Sequence, residues 1–214
     1  MSGPSVKGGP SGSGGGRAPA ATPTGSGAAV GLPGPALGIV ETQSIARGIV
    51  CADAMVKKAP VTILQNHPIS PGKFVVVIAG QVADVEEAMR AGEDAGLHLI
   101  VDRLFLPQAH EQLAPLLAGR QRPAEIRAVG IIETATVVAT VLAGDAAAKA
   151  ADIDLLEMRL GQGIGGKGFL TLTGELPDVE AAMAAGVAAI APALLVLSEI
   201  IPAPHDDLRA KLIF

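Results

Sequence analysis

Along residues 36–118, short apolar runs alternate with segments in which apolar residues recur at helical spacing. This pattern predicts strands and helices that alternate along the chain. Apolar runs bounded by Gly, Pro and Ser predict four strands. Ile45, Ile49, Ala52 and Val56 recur near helical spacing and predict a helix of about four turns whose apolar face they form. The predicted strands are 37–41, 61–67, 74–79 and 97–106, with a second helix at 84–95 and a last short helix opening at Pro107.

This order, β-α-β-β-α-β followed by a short helix, is the alternation of a ferredoxin-like α/β (α+β) domain. The second part of the chain repeats it. GIVET begins at Gly38 and GIIET begins at Gly130, 92 residues later, and after a two-residue insertion the offset becomes 94. A repeat of about ninety residues indicates a duplicated small domain rather than a solenoid. We predict a first domain at 36–118, a linker at 119–127 and a second domain at 128–214.

Residues 1–35 have a different composition from the rest of the chain. Gly, Pro and Ser dominate them, Lys7 and Arg17 are their only charged residues, and no apolar run of the secretory type is present. Such a segment buries too little apolar area to offset the entropy of ordering it. We therefore predict a disordered extension.

The hydropathy of the whole chain is high for a soluble protein. Apolar residues make up 49% of it, aromatic residues 2%, and the mean hydropathy is +0.45. Either a segment spans a membrane or neighbouring subunits cover apolar surface. Residues 181–197 approach the length of a short membrane span, but Pro192 interrupts them and their counterpart in the first half carries five charged residues. We therefore expect a helix followed by a buried strand, covered apolar surface and no membrane span.

Candidate chemistry is sparse. The net charge of −5, with scattered basic residues, argues against nucleic-acid binding. Cys51 lies among apolar neighbours of a predicted helix, which favours core packing, and the four histidines have no metal-ligand spacing. Residues 161–166 fit G-x-G-x-x-G, but a strand pattern follows where a dinucleotide site needs a helix. Glu41 and Glu133 end equivalent strands and are not expected to form an acid–base pair. We predict no catalytic residue, no metal and no cofactor.

The repeated motifs together resemble those of bacterial microcompartment shell proteins. GIVET and GIIET are followed by Asp-Ala-x-x-Lys at 53–57 and 145–149, then by a Gly-Lys loop, then by Pro-x-x-His-x-x-Leu at 107–113 and 202–208. The duplication resembles the tandem-domain class that forms homotrimers. Because each half begins with the GI-ET strand, the order is similar to that of the non-permuted, single-layer type.

This resemblance implies a flat pseudo-hexameric tile, packed edge to edge with hexameric and pentameric shell proteins around enzymes in the bacterial cytoplasm. It also implies that the loop before the third strand of each domain lines a central pore for small polar metabolites. Lys73 and Lys167, which directly follow these loops, would bias the approach toward anions. The implied pore-lining residues are Ile69, Ser70, Pro71, Gly72, Gly163, Ile164, Gly165 and Gly166.

The resemblance further implies a tile edge at Lys57 and Lys149. His110 and His205 occupy equivalent positions, where we expect structural roles at helix starts and edge contacts. Many members carry Arg directly after the Pro of Pro-x-x-His, whereas this chain has Gln and Ala there. Some tandem members hold an iron–sulfur cluster on a cysteine of the pore loop, and neither loop here has a cysteine. No cluster is therefore expected.

The sequence leaves two other functions open. One is a trimeric small-molecule-binding regulator on a ferredoxin-like fold, and the other is a subunit of an enzyme. A regulator of this kind needs convergent polar groups in a cleft, and the sequence shows no such set.

Overall fold

Each half of the chain forms a four-stranded antiparallel sheet with two long helices. A computed structural model describes residues 1, 3, 34–120 and 125–211. The first half contains β1 (Ala36–Thr42), α1 (Ile45–Lys58), β2 (Thr62–Ile69), β3 (Lys73–Gly80), α2 (Val82–Gly96), β4 (Ile100–Leu106) and α3 (Leu113–Leu117). The second half contains β5 (Ala128–Thr134), α4 (Val137–Ala150), β6 (Ile153–Leu160), β7 (Gly168–Gly174), α5 (Leu176–Ala188), β8 (Leu195–Ile201) and α6 (Asp206–Arg209).

The two sheets have the same strand order, β2-β3-β1-β4 and β6-β7-β5-β8. Their irregularities also match, because the register shifts between Ile63 and Gln65 in one sheet and between Leu155 and Glu157 in the other. Both shifts fall at positions 92 residues apart, the offset of the sequence repeat. The predicted fold class and the predicted duplication are confirmed.

The first helix of each half begins at an equivalent cap. The Ser44 hydroxyl accepts a hydrogen bond from Arg47 N, and the Thr136 hydroxyl accepts one from Ala139 N at 3.2 Å. Each cap satisfies one of the backbone donors that a helix start leaves without a partner. The strand-to-helix turn after GIVET and GIIET is therefore built in the same way twice.

The glycine that opens each GI-ET string has a packing reason. A Cβ at Gly38 would lie 2.7 Å from Sδ of Met89, and a Cβ at Gly130 would lie 2.6 Å from Sδ of Met183. Each methionine projects from the second long helix of its half. The repeated glycine therefore lets this helix pack closely on the central strand of the sheet.

The predicted helix α1 is confirmed, but most of its predicted apolar face is not buried against the sheet. Ile45, Ile49 and Val56 are exposed, whereas Ala52 is buried. The residues that α1 buries are Gly48, Cys51, Ala52 and Met55. The small residue at Gly48 lets the helix approach Phe74, because a Cβ there would lie 2.5 Å from the ring. The branched residues consequently form a second apolar stripe that faces away from the sheet.

Three further predictions need correction. The last short helix of the first half begins at Leu113 rather than at Pro107, because residues 107–112 form turns. Residues Leu97–Leu99 form a 3-10 turn, so the fourth strand begins at Ile100. β8 is not buried, since Val196 and Leu197 are exposed. It is an edge strand, and its outer side has no neighbouring strand in the described sheet.

Most of the predicted extension lies outside the described residues, as does 121–124 of the predicted linker. Of the extension, Pro35 is described next to β1, and its carbonyl oxygen accepts a hydrogen bond from Ala109 N at 2.9 Å. Among the described residues, no helix is both long and apolar enough to cross a membrane.

Candidate pore and edge sites

The two loops implied to line the pore lie against each other, although they belong to different halves. A Cβ at Gly161 would lie 2.8 Å from Cβ of Ile69, and a Cβ at Gly166 would overlap the carbonyl oxygen of Ser70. A surface cavity of about 430 Å³ includes residues of both loops, among them Ser70 and Gly163. The structure thus brings together two segments that are about 94 residues apart in the sequence.

Glycine shapes the longer of these loops. Gly161, Gly163, Gly165 and Gly166 have φ values of 78°, 71°, 70° and 82°, a region that other residues adopt only with strain. Gly163 and Gly165 also have nothing within 4 Å of a built Cβ, so open space surrounds them. The loop between β6 and β7 is a hairpin connection, and its G-x-G-x-x-G pattern does not precede a helix.

The two lysines that follow the loops are paired with carboxylates. Lys73 forms an ion pair with the fully buried Glu41, and Nζ of Lys167 lies 2.6 Å from Oε1 of Glu133. Each pair joins the start of the third strand of a half to the end of its first strand. The expected bias of the pore toward anions is weakened, because each ammonium charge has its own counter-charge. The two glutamates lie in separate sheets, each with its own lysine.

The edge residues of the two halves have different surroundings. Nζ of Lys149 donates hydrogen bonds to Asp145 and to the carbonyl oxygen of Gln108, both at 2.6 Å. The same aspartate accepts a hydrogen bond from His110 N at 2.7 Å. Lys57 is exposed and bonds Asp53 at 2.6 Å. The Pro-x-x-His motif of the first half therefore contacts the Asp-Ala-x-x-Lys motif of the second half.

Gln112 belongs to the same contact, and sequence reasoning missed it. Its side-chain nitrogen donates to the carbonyl oxygen of Ile153 at 2.7 Å, and its side-chain oxygen accepts from Leu155 N at 2.8 Å. The amide thus pairs with the free edge of β6 as a further strand residue would. We call the contact of residues 107–117 with α4 and β6 the internal joint. The hydrogen-bond partners of Gln112 are backbone atoms, and a contact with backbone leaves no signal in the sequence.

The histidines at equivalent positions have structural contacts. Nδ1 of His205 accepts a hydrogen bond from Asp207 N at 3.2 Å and caps α6. Nδ1 of His110 is 3.5 Å from Gln112 N in the turn before α3. The predicted structural role at a helix start therefore holds for His205, whereas His110 lies three residues before its helix.

Cys51 is fully buried, and this burial raises the pKa of its thiol above the ordinary value. A raised pKa keeps the thiol protonated at neutral pH, which agrees with the predicted packing role. In the described part of the chain, no three His, Cys, Asp or Glu side chains cluster as metal ligands would.

Comparison with known proteins gives consistent matches. The family model described as the BMC domain matches residues 36–109 and 128–204. The bacterial microcompartment shell protein PduT of Citrobacter freundii is 36% identical over 83% of this chain and 97% of its own length. The carboxysome assembly protein CcmO of Synechococcus elongatus is 30% identical, over 83% of this chain and 68% of its own.

Solved structures show the same likeness. A microcompartment protein from Desulfitobacterium hafniense is 44% identical, with a TM-score of 0.78 over 82% of this chain and 98% of that one. The fused permuted hexameric shell protein MSM0275 is 22% identical, with a TM-score of 0.53 over 73% of this chain and 81% of that one, and this likeness concerns the fold alone.

Proposed function

Because this chain belongs to the BMC-domain family and is a tandem-domain shell protein of bacterial microcompartments, we propose that three copies of it close into a pseudo-hexameric tile with a central pore. Six similar domains then alternate around a threefold axis. A cyclic arrangement of this kind closes head-to-tail contacts without leaving a free edge.

The observation that carries the pore is the contact between the two loops. Within one chain, Gly166 packs against the Ser70 carbonyl, so both loops project at the same corner of the two-domain unit. In a closed ring of three chains, this corner points to the axis and the loops alternate around it. Glycine-rich backbone can approach the axis most closely because it carries no side chain there.

The lining of such a pore favours small polar metabolites. The Ser70 hydroxyl and the backbone amides of residues 163–166 offer hydrogen bonds, while Lys73 and Lys167 are already paired. We propose that the pore selects by size and hydrogen bonding more than by charge. Weak interactions of this kind suit a conduit, because the metabolite must also leave.

We further propose that the chain catalyses no reaction and acts by assembly. The PduT protein to which it is similar is a shell protein. The partners that we propose for this chain are further copies of itself, hexameric and pentameric shell proteins, and the enclosed enzymes. Lys57, Lys149, His110 and His205 stay the proposed edge residues. The side chain of Lys149 remains 45% exposed although it takes part in the internal joint, so an adjacent tile can reach part of it.

Negative-stain imaging of the purified chain tests the tile. We expect extended sheets, tubes or facets from the wild type. Lys57→Asp, which reverses the charge of an exposed side chain at the proposed edge, should abolish the sheets. Discrete particles of the wild type under all conditions would contradict the tile and favour a regulator or an enzyme subunit.

A further inference from the structure

The first half carries an uncovered copy of the surface that the internal joint covers on the second half. Ile49 on α1 is 53% exposed, whereas its equivalent on α4, Val141, is 0% exposed. The side chain of Asp53 is 57% exposed, whereas that of Asp145 is 7% exposed. The exposed residues keep the apolar and acidic character of the buried ones. A folded chain rarely leaves a contiguous apolar stripe uncovered unless a partner binds there.

The second half carries the matching copy of the docking segment. Residues 202–208 repeat the turn of residues 107–113, because Leu208 N bonds the His205 carbonyl at 2.9 Å as Leu113 N bonds the His110 carbonyl at 3.0 Å. Leu113 is 0% exposed in the internal joint, and Leu208 is 40% exposed. The segment therefore shares this hydrogen bond, although its helix begins two positions earlier, and it carries an exposed apolar side chain at the equivalent position.

We propose that residues 202–208 of each chain dock on α1 of the neighbouring chain and repeat the contacts of the internal joint. His205 N then donates to Asp53 of the neighbouring chain, and Lys57 of that chain donates to the Ala203 carbonyl oxygen. Leu208 packs near β2, as Leu113 packs near β6. This inference rests on the proposed ring and specifies the residues that join one chain to the next.

The joint between chains differs from the internal joint at one decisive position. The equivalent of Gln112 is Asp207, which meets Val61 O and Ile63 N where Gln112 meets Ile153 O and Leu155 N. An amide donates and accepts, whereas an ionised carboxylate only accepts. Asp207 therefore pairs with Ile63 N and opposes the Val61 carbonyl oxygen.

The helix that follows is also more polar in the second half. Arg209 and Lys211 stand where the first half has Ala114, which is buried, and Leu116, which is partly buried. Less apolar surface is then covered at the joint between chains. The internal joint therefore has both hydrogen bonds and the larger apolar contact, and the joint between chains is weaker.

A dilution series tests this assignment, with native mass measurement reporting the concentration at which the ring dissociates. Asp207→Gln restores the second hydrogen bond and should lower the concentration at which half the rings dissociate by about fivefold. Asp206→Asn is the matched control, because it removes one carboxylate from the adjacent exposed position of α6. It should shift this concentration by less than about twofold, since exposed charges contribute little.

Leu208→Asp provides the opposite perturbation. Its side chain is exposed in the chain, so the monomer should fold normally, as circular dichroism would report, while the ring dissociates. Equal behaviour of Asp207→Gln and Asp206→Asn, or an intact Leu208→Asp ring, would overturn the docking assignment and leave the proposed tile standing. A wild type that is monomeric at micromolar concentration would instead refute the proposed ring itself.

Discussion

Replacing Gly166 with alanine tests the contact between the two loops. The residue has a φ of 82°, and its Cβ would overlap the carbonyl oxygen of Ser70. The left-handed backbone alone costs a non-glycine residue about 1–2 kcal/mol. To relieve the overlap, the loops must separate by roughly 1 Å, a gap that removes a quarter to a half of the contact energy between the atoms involved. Overpacking of this kind typically adds about 1–3 kcal/mol.

Gly163→Ala is the matched control for this substitution. Gly163 has a φ of 71°, but nothing lies within 4 Å of its Cβ. Gly163→Ala therefore carries the same cost of a left-handed backbone as Gly166→Ala but causes no overlap with Ser70. In urea unfolding at one fixed protein concentration, we expect Gly166→Ala to lower the free energy of unfolding by about 1–3 kcal/mol more than Gly163→Ala. Equal losses in the two variants would refute the loop contact.

Two further predictions concern single side chains. Lys149→Ala should lower the free energy of unfolding by about 1–3 kcal/mol, because it leaves the buried Asp145 short of a partner. Lys57→Ala, at the exposed equivalent position, should change the stability of the monomer by less than about 0.5 kcal/mol when both substitutions are compared in Leu208→Asp chains, and equal effects in urea unfolding would contradict this difference. Cys51, buried and with a raised pKa, should react with a thiol reagent only as fast as the chain unfolds, whereas a rapid reaction of the native protein would contradict its packing role.

The repeat made most of the fold predictable from the sequence. Two copies of one pattern must form the same domain, so weak signals in one half were supported by the other. The strand order, the bulges and the helix caps at Ser44 and Thr136 agree with that expectation. The duplication also argued against a membrane span at 181–197, since its charged counterpart occupies the same place in the first half.

The buried face of α1 could not be predicted in the same way. The helix carries two adjacent apolar stripes, one with small residues and Met55, the other with Ile45 and Ile49. Helical periodicity alone does not distinguish a stripe that packs on the sheet from one that awaits another subunit. The branched side chains gave the stronger sequence signal, yet Gly48 decides which face approaches the sheet, because a side chain there would collide with Phe74.

The internal joint was predictable only in part. The motifs that contain His110 and Lys149 stood out because they recur, but a sequence does not show that one motif contacts the other in the neighbouring half. Gln112 gave no signal, because both groups that it bonds belong to the backbone. The difference between Gln112 and Asp207 matters only in the folded chain, where the two residues occupy equivalent positions next to equivalent hydrogen bonds.

The proposed tile and its pore are tested most directly by an experimental structure of the assembled protein at a resolution that shows side chains. We expect a threefold ring of flat, nearly hexagonal outline. Ser70 and Ile164 should be among the residues nearest the axis, with the loops of the two halves alternating around it. A ring in which these residues lie at the outer perimeter would contradict the proposed pore, and an assembly without threefold symmetry would contradict the proposed tile.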